Sequence, residues 1–349
     1  LPPKKTGGWI ALARGEIART AGNLKQSRSF FSTALNIAPK LLQAEVSLGE
    51  VSGARSSEQL ANLSKLSRAH TDGIVKLALA RAMASRANLQ GAIDLLQQVL
   101  WSEPTAGDPQ SLTLELIQYL ADAKQFERSL KLAKLLYQAS AKGPSRLPVA
   151  KMAAAIAETS KLAEQRAFWF GEQDRLEPFV HETVISRVRA LLDLNRNIEA
   201  RGAIETFLKE KPDWRTAELV KQLARTWINE DDVKARQFIK DSLRIQKQAE
   251  SFILLGQLEE QRQNRMNAID AYRDALEIEA QRTAIRRKLA ALLLKSGDLD
   301  DAAAQLKVIT TQEPGDTVSR EQLADIYRDL GRPRLALEEY LAIMRYSKA

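Results

Sequence analysis

Along the C-terminal third of the chain, apolar residues return at a fixed spacing of 34 positions. Leu255-Gly256 is followed by Leu289-Ala290 and Leu323-Ala324. Ala268 is followed by Ala302 and Ala336, Tyr272 by Leu306 and Tyr340, and Ala275 by Ile309 and Ile343. The offsets predict two helices per unit. A small residue after Leu in the first helix lets the second helix approach closely. The Ala opening the second helix does the same from the other side, and the larger residue four positions later fills the gap between units. Gly297 and Gly331 fall at the turn, where a helix end favours a left-handed residue that Gly adopts cheaply. Pro314 follows a second helix and stops it. Gln305, beside this packed stripe, is expected on an exposed face.

The register continues backwards. The unit from His181 has Val188, Ala200, Ile204, Phe207 and Pro212, with Asn195 at the turn. The unit from Leu147 has Ala153-Ala154, Phe170 and Pro178. The unit from Gly73 has Leu79-Ala80, Ala92, Leu96, Val99 and Pro104, and the first, from Gly8, has Gly15, Gly22, Phe31, Ala34 and Pro39. Clear units are thus 8–41, 73–106, 147–180, 181–214, 249–282, 283–316 and 317–349, with degenerate units at 42–72, 110–146 and 215–248. In 215–248, Leu223-Ala224 fits one register and Ala235 another. Glu103–Pro109 and Ala141–Arg146 are rich in helix-breaking residues and read as local irregularities within one array.

This pattern resembles the tetratricopeptide (TPR) family, whose units carry Trp-x2-Leu-Gly-x2-Tyr followed by Ala, Phe, Ala and Pro at fixed positions. The resemblance covers nearly the whole chain. It implies an all-α, right-handed superhelical solenoid of about ten 34-residue helix-turn-helix repeats, a single array over residues 1–349. Trp9 and Ile10 open the first helix directly and the last unit closes at Ala349, so neither end is expected to be capped, as in a piece of a longer array.

Composition agrees. Gly (16) and Pro (11) are scarce and aromatics are only 6%, while residues that lose least on entering a helix dominate. No apolar stretch approaches the roughly 18 residues of a membrane span. With no cysteine, disulfides, thiolate metal sites and cysteine nucleophiles are excluded. That absence leans towards an oxidising compartment such as a periplasm, with the cytoplasm as the alternative. The net charge of +8 is spread along a mixed sequence. Residues 1–40 are the most biased, with Lys4, Lys5, Arg14, Arg19, Lys25, Arg28 and Lys40 against Glu16.

Catalytic chemistry lacks an inventory. His70 and His181 are the only histidines and lie on different units. No Gly-rich phosphate loop or metal-binding motif occurs, so no cofactor or metal is expected. Asp231-Asp232 reads as the acidic start of a helix. Asn62-Leu63-Ser64 has glycosylation spacing by chance.

The resemblance implies that unit positions 2, 5, 9, 12 and 13 of each first helix line a concave groove. They give Arg81, Lys151, Arg189 and Arg287, with Lys221 and Arg225 from the slipped unit, and Glu321, Asp325, Arg328 and Asp329 at the end. No unit pairs Lys at position 5 with Asn at position 9, as carboxylate-gripping chaperone TPRs do; Lys151 is followed by Ala155. The expected function is a non-catalytic protein-interaction scaffold. Its most specific form is a periplasmic part of a bacterial exopolysaccharide export assembly of the Pel, cellulose or poly-N-acetylglucosamine type. The alternative is a basic groove binding an anionic polymer, nucleic acid or polysaccharide, for which stacking aromatics are few. A regulatory region attached to an enzyme is a third reading.

Overall fold

The computed structural model describes residues 3–51, 57–69, 72–102 and 107–346. His70, Pro104 and Ala349 lie outside the described residues, as do the side chains of Lys4, Lys5 and Asn62. Among the described residues the chain is α-helix joined by turns, with two short 3-10 segments and no strand. It divides into two compact units, Leu1–Pro178 and Phe179–Ala349.

Unit 1 contains five helical hairpins: α1 (Pro3–Thr20) with α2 (Leu24–Ile37), α3 (Leu42–Val51) with α4 (Ser57–Ala69), α5 (Gly73–Ala84) with α6 (Leu89–Ser102), α7 (Pro109–Asp122) with α8 (Phe126–Ala139), and α9 (Leu147–Ser160) with α10 (Ala163–Leu176). Unit 2 contains five more: α11 (His181–Asp193) with α12 (Asn197–Glu210), α13 (Ala217–Arg225) with α14 (Asp232–Ile245), α15 (Ala249–Gln261) with α16 (Arg265–Ile278), α17 (Thr283–Ser296) with α18 (Leu299–Gln312), and α19 (Thr317–Asp329) with α20 (Pro333–Tyr346). In each unit, consecutive helices pack against one another along the chain.

The repeated small residues sit where two helices meet. Ala268, Ala302 and Ala336 are buried. A Cβ on Gly256 would lie 2.6 Å from Cε1 of Tyr272, and one on Gly15 would lie 2.3 Å from Cε1 of Phe31. In both hairpins the glycine accepts an aromatic ring sixteen residues downstream. Where Ala290 replaces the glycine, the partner position holds the smaller Leu306, and both are buried. Ala80 with Leu96 and Val188 with Ile204 follow the same rule. Burying each such Leu or Ile side chain is worth about 1.5–3 kcal/mol, so the period carries the stability of the stack.

The turns share one conformation. Gly22, Gly297 and Gly331 have positive φ, and Lys124, Lys161, Asn195 and Gln263 take the same left-handed position without being glycine. At α17 the Gly297 and Asp298 amides close back on Leu294 and Leu293, satisfying the last carbonyls of the helix. The slipped unit has no such residue. Its first helix stops at Arg225, and residues 226–230 form a longer turn around Trp227. The Arg201 guanidinium stacks 3.4 Å from the centroid of that ring, with Lys234 Nζ at 4.3 Å. Asp231 then caps α14 by accepting from the Lys234 amide at 3.0 Å. Ala224 and Ala235 are both buried, so the two registers coexist with the slip taken up in the turn.

The 141–146 connection lies inside unit 1. Gly143 turns at φ 99°, Pro144–Arg146 form a 3-10 turn, and Arg146 packs 4.8 Å over the Tyr137 ring while donating to the Ser140 carbonyl. One expectation is corrected. Gln305 is half-buried and accepts from Arg286 Nη1 at 2.6 Å. Its equivalent one unit later is Glu339, which pairs with Arg320 one unit after Arg286. The face flanking the alanine stripe thus carries a polar clasp between the two helices of each of these hairpins.

Candidate binding grooves

Unit 2 holds a groove of about 330 Å³ between the first helices of three consecutive hairpins. Arg189 comes from α11; Glu218, Lys221, Gln222 and Arg225 from α13; Glu250, Ile253, Leu254 and Gln257 from α15. Arg282, ahead of α17, closes one end. Of the ten predicted groove residues, Arg189, Lys221 and Arg225 are brought together here.

Glu218 is the hub. Its carboxylate accepts from Lys221 at 2.6 Å, Gln222 at 2.6 Å and Arg189 at 2.7 Å. Burial pushes this carboxyl up, but the three donors outweigh it and hold it at about 2. Lys221 is itself buried, a position tolerable because its charge is paired. Gln222 passes the network on: its amide nitrogen binds Glu218 and its oxygen accepts from Arg225 Nη1 at 3.1 Å. Arg225 is exposed and its hydrogen-bond partner is this neutral amide. Arg282 pairs with Glu250 and Glu279. Four cations therefore line a groove with two carboxylates, and Arg225 holds its charge outside an ion pair.

Unit 1 has a comparable groove of about 270 Å³, lined by Glu16 and Arg19 of α1, Ser47 of α3, Arg81 of α5 and Asp108 at the start of α7. Here charges balance and are tied down. Arg19 pairs with Glu16 at 2.7 Å, which also accepts from Ser47. Arg81 pairs with Glu115 at 3.0 Å, and Asp108 caps α7 through the Ser111 amide and hydroxyl. Tyr119, partly buried and donating to Glu115, has its phenol pushed well above the ordinary range.

The remaining predicted residues line neither groove. Lys151 pairs with Glu177 at 2.7 Å. Arg287 pairs with Glu313 and with Asp316, which caps α19. Arg328 bridges Asp325 and Asp329, and Tyr340 donates to Asp325. Glu321 is exposed. Glu218, Glu250, Gln257 and Arg282 are new to the site. The first two and Gln257 had a signal: Glu250, Ile253 and Gln257 occupy positions 2, 5 and 9 of their unit, and Glu218 lies three residues before Lys221 on the same helix face. His181 is a packing residue, with its ring 5.6 Å from that of Trp214 and its Nε2 3.0 Å from the Thr216 hydroxyl. Among the described residues no cluster of His, Asp or Glu is arranged to hold a metal ion, and no helix is long and apolar enough to cross a membrane.

Residues 262–320 match the tetratricopeptide repeat family model. The match runs through α16, α17 and α18, where the 34-residue register is strictest. TPR folds are generally non-catalytic scaffolds that mediate protein–protein interactions. A search of curated proteins gives no significant match. Among solved structures, the chain is similar to MamA, with 18% identity and a TM-score of 0.38 over 45% of this chain and 92% of that one. It is also similar to YrrB, described as a TPR protein with an unusual peptide-binding site, at 18% identity and a TM-score of 0.41 over 51% and 91%. The anaphase-promoting complex hetero-tetramer Cut9-Hcn1 aligns over 98% of this chain and 73% of that one, at 13% identity and a TM-score of 0.43.

Proposed function

We propose that this chain is a non-catalytic scaffold that seats an acidic segment of a partner protein in the unit-2 groove. The observation that carries the reading is the Glu218 hub. Arg189, Lys221 and Gln222 are locked onto one carboxylate, which preorganises the wall, while Arg225 points an uncommitted charge at the opening. Half-buried Ile253 and exposed Gln257 supply apolar contact and an amide for the partner's backbone. An anionic polymer is disfavoured, because the predicted basic residues outside this groove are mostly neutralised by acids on neighbouring helices and form no continuous stripe. We further propose that the scaffold works in a bacterial exopolysaccharide export assembly in the periplasm. The long helical array and the lack of cysteine support that setting.

The test is site-specific photo-crosslinking in cells of the source organism, with the photoreactive residue at Gln257 inside the groove or at Lys240, exposed on α14. The expected result is one discrete protein adduct from Gln257 and none from Lys240. Adducts from Lys240 alone, or the same adducts from both, would move the binding surface elsewhere. Identification of the adduct then tests the export setting separately.

A further inference from the structure

The two carboxylates that line the unit-2 groove are held in opposite ways. Glu218 is committed, because Lys221, Gln222 and Arg189 all donate to it. Glu250, at the start of α15, is half-exposed, and among the described residues its carboxylate has one partner, Arg282 Nη2. The Arg282 guanidinium divides its donors. Its Nε–H is held by Glu279, three residues earlier in the chain, while Nη2 reaches across to Glu250. A guanidinium presents its donors as a rigid fork, so one edge stays anchored when the other changes partner. Partly exposed ion pairs contribute little to stability, since water competes for both ends. The Glu250–Arg282 contact is thus the exchangeable one in this groove, and Glu218 is the fixed one.

The order of side chains along the groove gives this contact a meaning. Arg225 comes from α13, Ile253 and Leu254 from α15, and Arg282 from the turn ahead of α17. An apolar floor, half-buried at Ile253 and buried at Leu254, therefore lies between two arginines. Arg225 offers its charge beside a neutral amide, whereas Arg282 offers a free edge only where Glu250 gives way.

We propose that Glu250 is a built-in competitor, its carboxylate holding the place on Arg282 that a second carboxylate of the partner takes on binding. The inference rests on the groove reading above and names the partner more closely: an extended segment with two acidic residues flanking an apolar one. The three side chains fall at alternate positions, because successive side chains of an extended chain point to opposite faces. One acid meets Arg225, the apolar side chain lies on Ile253 and Leu254, and the other acid displaces Glu250 from Arg282. Glu250 then acts as a selectivity device. A segment with a single acid leaves the Glu250–Arg282 pair closed, gains nothing from that end and still meets the Glu250 charge. Arg282 keeps its place without Glu250, because Glu279 holds Nε.

Fluorescence anisotropy with two labelled, end-blocked peptides tests the proposal. One has a Glu-Ser-Leu-Ser-Glu core in Gly-Ser flanks; the other has the core Glu-Ser-Leu-Ser-Gln. Each is titrated with the unchanged chain, Glu250→Gln, Arg282→Gln and Arg225→Gln. The three positions are at least partly exposed, and an unchanged thermal melt by circular dichroism verifies the fold; Glu250→Ala, Arg282→Ala and Arg225→Ala replace any variant that fails that check. Glu250→Gln should tighten the doubly acidic peptide about tenfold and the singly acidic one by no more than about threefold. Arg282→Gln should bring the two peptides to the same Kd. Arg225→Gln should weaken both, which reports on the groove reading itself. If Arg225→Gln weakens binding while Glu250→Gln tightens both peptides equally, or leaves the doubly acidic one unchanged or weaker, the proposal falls and the groove reading stands. If Arg225→Gln has no effect, or neither peptide binds any of the four proteins, the groove reading falls and the proposal falls with it.

Discussion

The grooves of unit 1 and unit 2 are cut from equivalent helix positions and differ in what their charges are free to do. In unit 1, Arg19, Arg81, Glu16 and Asp108 are each engaged by a side-chain or backbone partner. In unit 2, one half-buried carboxylate gathers two cations and a glutamine, and exposed Arg225 is bonded to a neutral amide. Backbone repetition thus sets where a side chain points, and the residue placed there decides whether the position clamps the stack or faces a ligand. The two grooves share a scaffold, and the difference between them is electrostatic.

The harshest way to separate scaffold from groove is to overpack the helix crossing in unit 2. Ala302→Trp should cost on the order of 1–3 kcal/mol or more, since Ala302 is completely buried. Asp270→Ala, on an exposed face of α16, should change stability by no more than about 0.5 kcal/mol. Urea melts that put the two variants level would show that the helix register is wrong.

A milder test targets the hubs. Glu218→Gln should cost on the order of 1–3 kcal/mol because it strips a charged acceptor from buried Lys221. Glu16→Gln, the hub of unit 1, should cost no more than about 1 kcal/mol. The pH dependence follows from the same site. The folded Glu218 carboxyl lies at about 2, below its ordinary 4.5, so the folded chain binds this proton less readily than the unfolded chain. Its contribution is complete well above the ordinary value and is lost as pH falls through 4.5 towards 2. Stability measured across that window should fall less steeply in Glu218→Gln than in the unchanged chain; parallel curves would remove Glu218 from the hub.

The smallest effects concern the turns. Gln263→Gly should stabilise by roughly 0.5 kcal/mol and Gly297→Ala should destabilise by about 1 kcal/mol, because both positions have positive φ. Shifts of the same sign in thermal melts would contradict the shared turn geometry.

Much of the scaffold was legible from spacing alone. Ala268, Ala302 and Ala336 recur because each is pressed between helices, and close packing tolerates no larger residue there. The slip in 215–248 was visible as two conflicting registers, but the Arg201–Trp227–Lys234 stack that holds it was not. That stack joins residues of α12, α14 and the turn before α14, whose pairing no periodicity encodes. The same limit applies to the grooves. Position within the unit pointed to Arg189, Lys221 and Arg225, whereas the Arg189–Glu218 pair depends on a long side chain reaching between hairpins, and Arg225 bonds to Gln222 instead. Gln305 shows the converse error: a polar residue beside the packed stripe reads as solvated until Arg286 of the neighbouring helix is seen to bind it.

We propose that unit 2, through Arg225, attracts an acidic partner that unit 1 does not hold. The direct measurement is the Kd of the protein captured at Gln257 for Arg225→Glu and for Arg81→Glu, at about 0.1 M and about 1 M salt, over which the Debye length falls from about 10 Å to about 3 Å. Arg225→Glu should weaken binding on the order of tenfold at the lower salt, a loss of about 1.4 kcal/mol, and the gap should close at the higher salt. Arg81→Glu should leave binding within about twofold. Equal losses for the two variants, or a tenfold loss that ignores salt, would contradict the account.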